Sequence, residues 1–323
     1  MISTTPALVV SEFHQTPVFN NLEIASLGEN QALLKVNACG LNFADLLLIE
    51  GKYQETPIPP FAPGLEVMGI VEAVGGQVTD LNIGDRVAAY CGAGGLAGHV
   101  VVDTAQCLPI SDSMDDVTAA GFQIAYATSH LALKRRARLQ EGETLVVLGA
   151  AGGVGLTAVE IGQALGANVI AVARGTQKLE IASAAGADHL LDSETDDLYS
   201  QLKSIAPIHV VYDAVGGKAG EAALRSLVPE GRYLLIGFAS GKLPELKPNH
   251  LLVKNLSVEG FNLGAYRKFN PAALSDSLTE LIGWYEAGRI KPHVSHILPF
   301  EKALEGLELL RARKSTGKIV ITL

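Results

Sequence analysis

Cysteine is scarce: the 323 residues contain three, Cys39, Cys91 and Cys107. An odd number at wide spacing gives no disulfide framework and no paired zinc-knuckle pattern, and fits a reducing compartment. Basic residues are outnumbered, 25 Lys and Arg against 34 Asp and Glu, for a formal net charge of −9. Such a surface repels phosphate backbones and anionic lipid heads. Nucleic acid and membrane surfaces are therefore not expected partners, although a local basic pocket for one small anion is still allowed. Long apolar runs are missing as well. The nearest, Thr144 to Val159, is too short for a membrane span and carries four glycines within seven residues. The N-terminal MISTTPALVVSEF lacks both a positive start and a long apolar stretch, so it does not read as a signal peptide. A soluble, cytoplasmic protein is the expectation. Apolar side chains, in contrast, are plentiful, at 48% of residues against 18% charged. That suffices for a large core and excludes intrinsic disorder. At roughly 150 residues per domain the length implies about two domains.

The first ~120 residues alternate short β-rich runs with turn clusters. Ala7 to Val10, Gln31 to Ala38, Val67 to Val74 and Arg86 to Tyr90 read as strands, Pro57 to Gly64 as a proline-rich turn, and Phe43 to Ile49 as a helix. From about Thr118 strands alternate with helices. Strands are expected at Thr144 to Leu148, Asn168 to Ala173, His209 to Asp213, Arg232 to Gly237 and Ser257 to Phe261. Helices are expected at Leu156 to Leu165, at Gln177 to Ala185 and after Gly217. That alternation means βαβ units and a buried parallel sheet. Helices over Pro271 to Ala287 and Pro299 to Arg311, and a strand over Ile319 to Leu323, close the chain.

The strongest local signal is Leu145 to Gly175: apolar strand, glycine turn, helix, second apolar strand. A dinucleotide fingerprint requires that context. Glycines let the backbone approach a pyrophosphate, and the amides and dipole at the helix start stabilise its charge. Ala151, Gly152, Gly153 and Val154 are the expected pyrophosphate contacts, with Gly155 allowing close helix-to-strand packing. The pattern departs from G-x-G-x-x-G at its first position, which is Ala150. An NAD-type site wants Asp or Glu at the end of the second strand. Here Arg174 stands there with Lys178 one turn later, a pair suited to a 2′-phosphate, so NADPH is expected over NADH. The plainer accounts are a glycine turn kept for packing, and two solvated residues at a helix start.

These residues sit among further motifs: ACGLNFADLLLIEGKY (Ala38 to Tyr53), PGLEVMGIVEAVG (Pro63 to Gly75), GDRV (Gly84 to Val87), VVYDAVGG (Val210 to Gly217) and STGKIVIT (Ser315 to Thr322). Together with GAAGGVG they make the chain, over nearly its whole length, resemble the zinc-free quinone oxidoreductase branch of the medium-chain dehydrogenases/reductases, which includes zeta-crystallin. The resemblance implies an α/β fold: a Rossmann doubly wound parallel sheet inserted into a GroES-like, mostly β catalytic domain. The expected division is 1–122 and 263–323 for the catalytic domain and 123–262 for the Rossmann domain. A homodimer joined through the Rossmann sheet edge near Ser257 to Leu263 is also implied.

In the zinc-dependent relatives three ligands fall where this chain has Asn42, Leu65 and Ile124, which cannot make a tetrahedral N/S site, so no metal is expected. Arg86 to His99 contains only Cys91, so the four-cysteine lobe of those relatives is missing too. Cys39 reads as a small core residue. Further site residues are carried over from the resemblance. Asn42 lies beside the nicotinamide and ribose, and Tyr53 lines the same site and orients or protonates the acceptor. Thr128 lies near the nicotinamide carboxamide or ribose. Gly237 and Phe238 (in IGFAS) and Phe261 and Leu263 (in GFNLG) hold the nicotinamide half. Arg313 stands at the phosphate end, with Lys318 a weaker candidate. The simpler accounts are a turn residue at Asn42, an amphipathic loop residue at Tyr53 and a helix N-cap at Thr128.

Other constellations carry less. His293 and His296 look extended and lack a third ligand. His99 fits a strand start better than a proton donor, and Lys134 to Arg136 with Arg138 fit a solvated helix end. No G-x-S-x-G elbow follows a strand. The expected activity is metal-free, NADPH-dependent hydride transfer to a small-molecule acceptor, a quinone. An enone or acyl-thioester reductase is the near alternative, and a non-catalytic NADPH-binding structural or RNA-associated protein the distant one.

Overall fold

The computed structural model describes residues 3–323. Along the chain run β1 (Thr4–Val9), β2 (Val18–Glu23), β3 (Gln31–Leu41), α1 (Phe43–Ile49), β4 (Glu66–Val74), β5 (Arg86–Tyr90), β6 (His99–Asp103), β7 (Cys107–Pro109), α2 (Asp116–Ala120) and α3 (Gln123–His130). A π-helical stretch (Leu131–Arg136) follows, then β8 (Thr144–Leu148), α4 (Gly153–Ala164), β9 (Asn168–Ala173), α5 (Thr176–Ala184), β10 (His189–Asp192), α6 (Leu198–Ile205), β11 (Ile208–Asp213), α7 (Gly217–Ser226), β12 (Leu227–Leu235), α8 (Pro248–Lys254) and β13 (Ser257–Gly260). The rest is α9 (Leu263–Phe269), α10 (Pro271–Glu286), β14 (Val294–Pro299), α11 (Ala303–Arg311) and β15 (Lys318–Thr322).

The described chain divides into two compact units, one of residues 3–124 and 293–323, the other of 125–292. The first is built on a sheet in the order β14-β15-β3-β4-β5-β7, with β6 also paired to β3, beside a β1–β2 hairpin. Strand β3 organises it. Alternate residues Ala32, Leu34 and Val36 point inward and are almost fully buried, the period-2 pattern of a strand with one face on the core. Strand β15 lies antiparallel to β3, with Ile319 opposite Leu41 and Val320 opposite Gly40, so the chain's far end is a core strand.

The second unit holds six parallel strands in the order β10-β9-β8-β11-β12-β13. All five residues of β8 are buried, as a strand covered on both faces requires. Chain order reverses between β8 and β11, and in open parallel sheets ligands collect beyond the carboxyl ends of strands at such a switch point.

Several expectations change: the helix expected over Pro299 to Arg311 begins at Ala303, because Pro299 still belongs to β14, and the strand expected over Ser257 to Phe261 ends at Gly260. Residues 263–292 were expected with the chain's end, but they group with the parallel sheet. Helix α10 explains it: Ser277 Oγ meets His130 Nδ1 at 2.8 Å, and the Trp284 ring stands edge-on to the His130 ring at 5.3 Å. After it, Arg289 donates to Ala164 O at 2.8 Å. The strand expected over Arg232 to Gly237 ends at Leu235, because the amides of Ile236 and Gly237 turn aside to Asp213 O.

Candidate functional site

Strand β8 ends in a turn that needs glycine. Gly149 has φ +75°, and the Gly149 and Ala150 amides both donate to Val172 O, at 3.0 and 3.1 Å. Gly149 thus makes the tight turn that the usual G-x-G-x-x-G pattern assigns to its first glycine, the place held here by Ala150. A Cβ on Gly155 would meet Gly149 O at 2.1 Å, so only glycine lets α4 lie this close to the turn. The N-cap of α4 is Gly152, which has no side chain to accept from the first-turn amides. Those amides have no intrahelical acceptor either, which makes the helix start a ready anion cradle. The Gly152 amide itself is spent on Gly149 O at 2.9 Å, leaving Ala151, Gly153 and Val154 as the better donors.

At the end of β9, Arg174 is exposed and its Nε pairs with Glu194 Oε1 at 3.2 Å; both side chains are more than half accessible, so the pair is weak. Gly175 caps α5 and Lys178 lies in its first turn. Asp192 on neighbouring β10 is tied down, Oδ2 accepting from the Gly175 amide and Oδ1 from the Glu194 amide. Around the loop after β11, Asp213 is fully buried. Its Oδ1 accepts from the Val215 and Gly216 amides at 2.7 and 2.8 Å, and its Oδ2 from the Tyr233 hydroxyl. Burial pushes this carboxyl up, against the pull of those hydrogen bonds. The Ala214 and Val215 carbonyls in turn accept from the Ala239 and Ser240 amides. Gly237 and the exposed Phe238 lie in the segment so held. Phe261 follows β13 and stacks on Tyr266 at 5.4 Å, Leu263 starts α9, and Thr128 is buried in the last turn of α3 rather than capping a helix.

The first unit holds a second cluster. Asn42 is the N-cap of α1, and its amide donates to Asp45 Oδ2 at 2.7 Å. Asp45 Oδ1 accepts from the Gly64 amide at 2.8 Å, so one carboxylate ties the helix start to the loop before β4. Burial pushes the Asp45 carboxyl up to about 7, against the two amide hydrogen bonds. Glu66 opens β4, 1% exposed, and pairs with Lys318 Nζ at 2.8 Å. Lys318 is delivered by β15. Its ammonium also donates to Leu41 O and Asn42 Oδ1, each at 2.8 Å. Asn42 Nδ2 donates to Gly40 O and Glu66 Oε1, at 3.2 and 2.9 Å, and Glu66 Oε2 accepts from the Ile124 amide at 3.0 Å. Tyr53 lies half-buried beyond α1, where its carbonyl accepts from Thr56 Oγ1. Arg313 is exposed after α11 with φ +55°. His99 opens β6 and pairs with Glu72 at 3.2 Å.

Sequence reasoning named Asn42, Arg174 and the glycine turn but passed over Glu66, Asp45 and the Asp213–Tyr233 pair. A glutamate at the head of the apolar run EVMGIV was the available signal for Glu66. Lys318, thought of as a phosphate ligand, has all three ammonium protons committed inside the first unit.

Two family models match: an alcohol dehydrogenase GroES-like domain over residues 28–112 and a zinc-binding dehydrogenase domain over residues 153–278. A quinone oxidoreductase-like protein 2 homolog of Nematostella vectensis is 38% identical over 92% of this chain and 82% of its own length. Among solved structures, the quinone oxidoreductase of Thermus thermophilus is 32% identical over 98% of this chain and 100% of that one, with a TM-score of 0.86. That of Escherichia coli, complexed with NADPH, is 27% identical over 99% and 100%, with a TM-score of 0.90.

The zinc in one model's description does not suit these residues. Leu65 is an apolar core side chain, Ile124 is aliphatic, and both Asn42 amide protons are already given away. Among the described residues no group of three or more His, Cys, Asp or Glu could hold a metal ion. Nor is any helix among them long and apolar enough to cross a membrane. With the reversed parallel sheet, the glycine turn and relatives matched along almost the whole chain, the protein belongs to the zinc-free medium-chain dehydrogenase/reductase family of quinone oxidoreductase type.

Proposed function

We propose that this chain is an NADPH-dependent oxidoreductase that reduces a quinone without a metal. The reading is carried by one observation, the open α4 N-terminus beside a strand end that offers Arg174 where an NAD site offers a carboxylate. Similarity to a quinone oxidoreductase-like protein, and to a quinone oxidoreductase complexed with NADPH, supports it. Ala151, Gly153 and Val154 donate amides to the pyrophosphate, with Gly152 leaving room for it. Arg174 gives up Glu194 to take the 2′-phosphate in charge-assisted hydrogen bonds, helped by Lys178. Gly237, Phe238, Phe261, Leu263, Thr128 and Asn42 serve the nicotinamide half, and Arg313 the phosphate end.

When bound, the reduced cofactor supplies hydride. The residues have a modest task beyond that: to hold the electron-poor ring against the donor and keep water out. Tyr53 orients the acceptor. Reducing a quinone to its hydroquinone needs two electrons and two protons; hydride carries one proton, and water supplies the other to the oxygen. No buried acid relay is needed, in keeping with the absence of a histidine among the proposed ligands. Two copies are proposed to pair along β13, which borders the parallel sheet.

The test is NADPH consumption with 1,4-benzoquinone, 9,10-phenanthrenequinone, a simple enone and a crotonyl thioester. Fastest turnover with the quinones is expected. Preference for the enone or thioester would move the acceptor assignment to conjugated carbonyls, and tight NADPH binding with no turnover on any of them would reject the enzyme.

A further inference from the structure

Lys318, Glu66 and Asn42 form a closed set whose hydrogen bonds can be counted. An ammonium has three protons and no lone pair. Those of Lys318 go to Leu41 O, Asn42 Oδ1 and Glu66 Oε1, each at 2.8 Å. Because Lys318 only donates, the Asn42 atom facing it is the oxygen, and the amide cannot be turned over. The nitrogen then faces Gly40 O and Glu66 Oε1 and gives them both of its protons. Glu66 fixes the same orientation from the other side, since a carboxylate only accepts. The pair is 6–7% exposed at Lys318 and 1% at Glu66. Holding two buried charges in this geometry is expensive unless every partner is in place, and here every partner is.

We propose that Lys318 and Glu66 are positioning residues that set the polarity of Asn42, so that its side chain can only accept, through Oδ1, and has no proton to offer a ligand. A group that hydrogen-bonds to Asn42 must therefore donate. On the cofactor that means a ribose hydroxyl or the carboxamide NH2 of the nicotinamide half. The carbonyl oxygen of the acceptor is excluded, so Asn42 does not polarise it. Lys318 has no proton left for a phosphate. The inference rests on the reading above that Asn42 meets the nicotinamide half.

The double variant K318M/E66Q removes both charges of the pair at once and leaves the buried Asp45 carboxyl its Asn42 and Gly64 amide donors. The introduced glutamine presents its NH2 toward Asn42 while its oxygen keeps the Ile124 amide, and the Asn42 amide turns over to meet it. NADPH should then bind roughly tenfold more weakly, about the worth of one hydrogen bond and its loss to a mismatched partner. Adenosine 2′-phosphate 5′-diphosphate, which lacks the nicotinamide half, should keep its affinity within twofold. Adding N42D to the double variant restores an acceptor-only side chain and should recover most of the NADPH affinity. No selective loss in the double variant, or a further loss on adding N42D, overturns the proposal. If wild-type protein binds neither NADPH nor the fragment, the cofactor reading fails instead, and the two failures are told apart.

A measurement on the wild type needs no variant to fold. In protein labelled with 15N, both side-chain amide protons of Asn42 should exchange slowly and keep their rates when NADPH is added. Release or capture of either proton on binding overturns the assigned polarity.

Discussion

Two glycines in one turn make opposite predictions, and alanine at each separates packing from ligand approach. A Cβ on Gly155 would stand 2.1 Å from Gly149 O, 2.7 Å from Gly149 C and 3.1 Å from Ala150 Cα, whereas ordinary contact begins near 3.4 Å. The shortfall of about 1.3 Å is against backbone, which cannot swing aside as a side-chain tip can, so α4 must lift from β8. Overpacking of this kind costs about 1–3 kcal/mol. At about 2–4 °C per kcal/mol for a body of this size, G155A should melt roughly 2–12 °C below wild type. Gly152 differs. Its φ of −80° suits any residue, and a Cβ there finds nothing nearer than Gly149 O at 3.4 Å. As an N-cap change G152A should cost no more than about 1 kcal/mol. The new methyl would stand where a diphosphate must approach the amides, so NADPH affinity should fall at least about tenfold. Calorimetric melting gives the first number and titration calorimetry the second. Wild-type melting in G155A would refute the packing argument, and undiminished NADPH affinity in G152A would refute the cradle.

Arg174→Ala should raise KM for NADPH far more than KM for NADH, and equal changes would refute the 2′-phosphate assignment. Tyr233→Phe leaves the buried Asp213 Oδ2 without its hydroxyl donor and should destabilise the protein by about 1–3 kcal/mol, read from urea unfolding; an unchanged midpoint would count against the brace. Burial holds the His130 imidazole down at about 4, opposed by Glu280 and helped by Lys134. Its folded pKa therefore lies below its unfolded value near 6.5, the unfolded chain binds the extra proton, and stability drains away as pH falls from about 6.5 toward 4. The loss is at most about 3 kcal/mol, and His130→Gln should flatten that part of the stability–pH curve. Light scattering tests pairing along β13: a charge introduced by Val258→Lys should shift a dimer toward monomer, and a wild-type monomer would dismiss the interface.

Much of this was legible beforehand, for identifiable reasons. The bounds of α1, β5, β8 and β9 are those read from the sequence, because each is an unbroken apolar or amphipathic run stopped by a turn residue. Strands β7 and β10 were not, being three and four residues long and without a buried face. Helix α4 begins at Gly153, three residues before its apolar run, since the glycine turn feeds straight into it. At the candidate site, glycines and Arg174 announce themselves by local spacing. The Asn42–Glu66–Lys318 set does not, because its members are brought together by strand pairing and nothing in the local sequence of Lys318 points to Asn42.

That pairing has a consequence for how the protein comes to be folded. Lys318 and its acceptor Leu41 are 277 positions apart, and everything from 125 to 292 forms a separate compact body in between. Closing so long a loop is slow while the intervening chain is loose, and becomes easier once that chain has condensed. The parallel-sheet body, made of neighbouring βαβ steps, should gain protection from hydrogen exchange first. The amides of β3 and β15 should follow together, with the orientation of Asn42 among the last native features to appear.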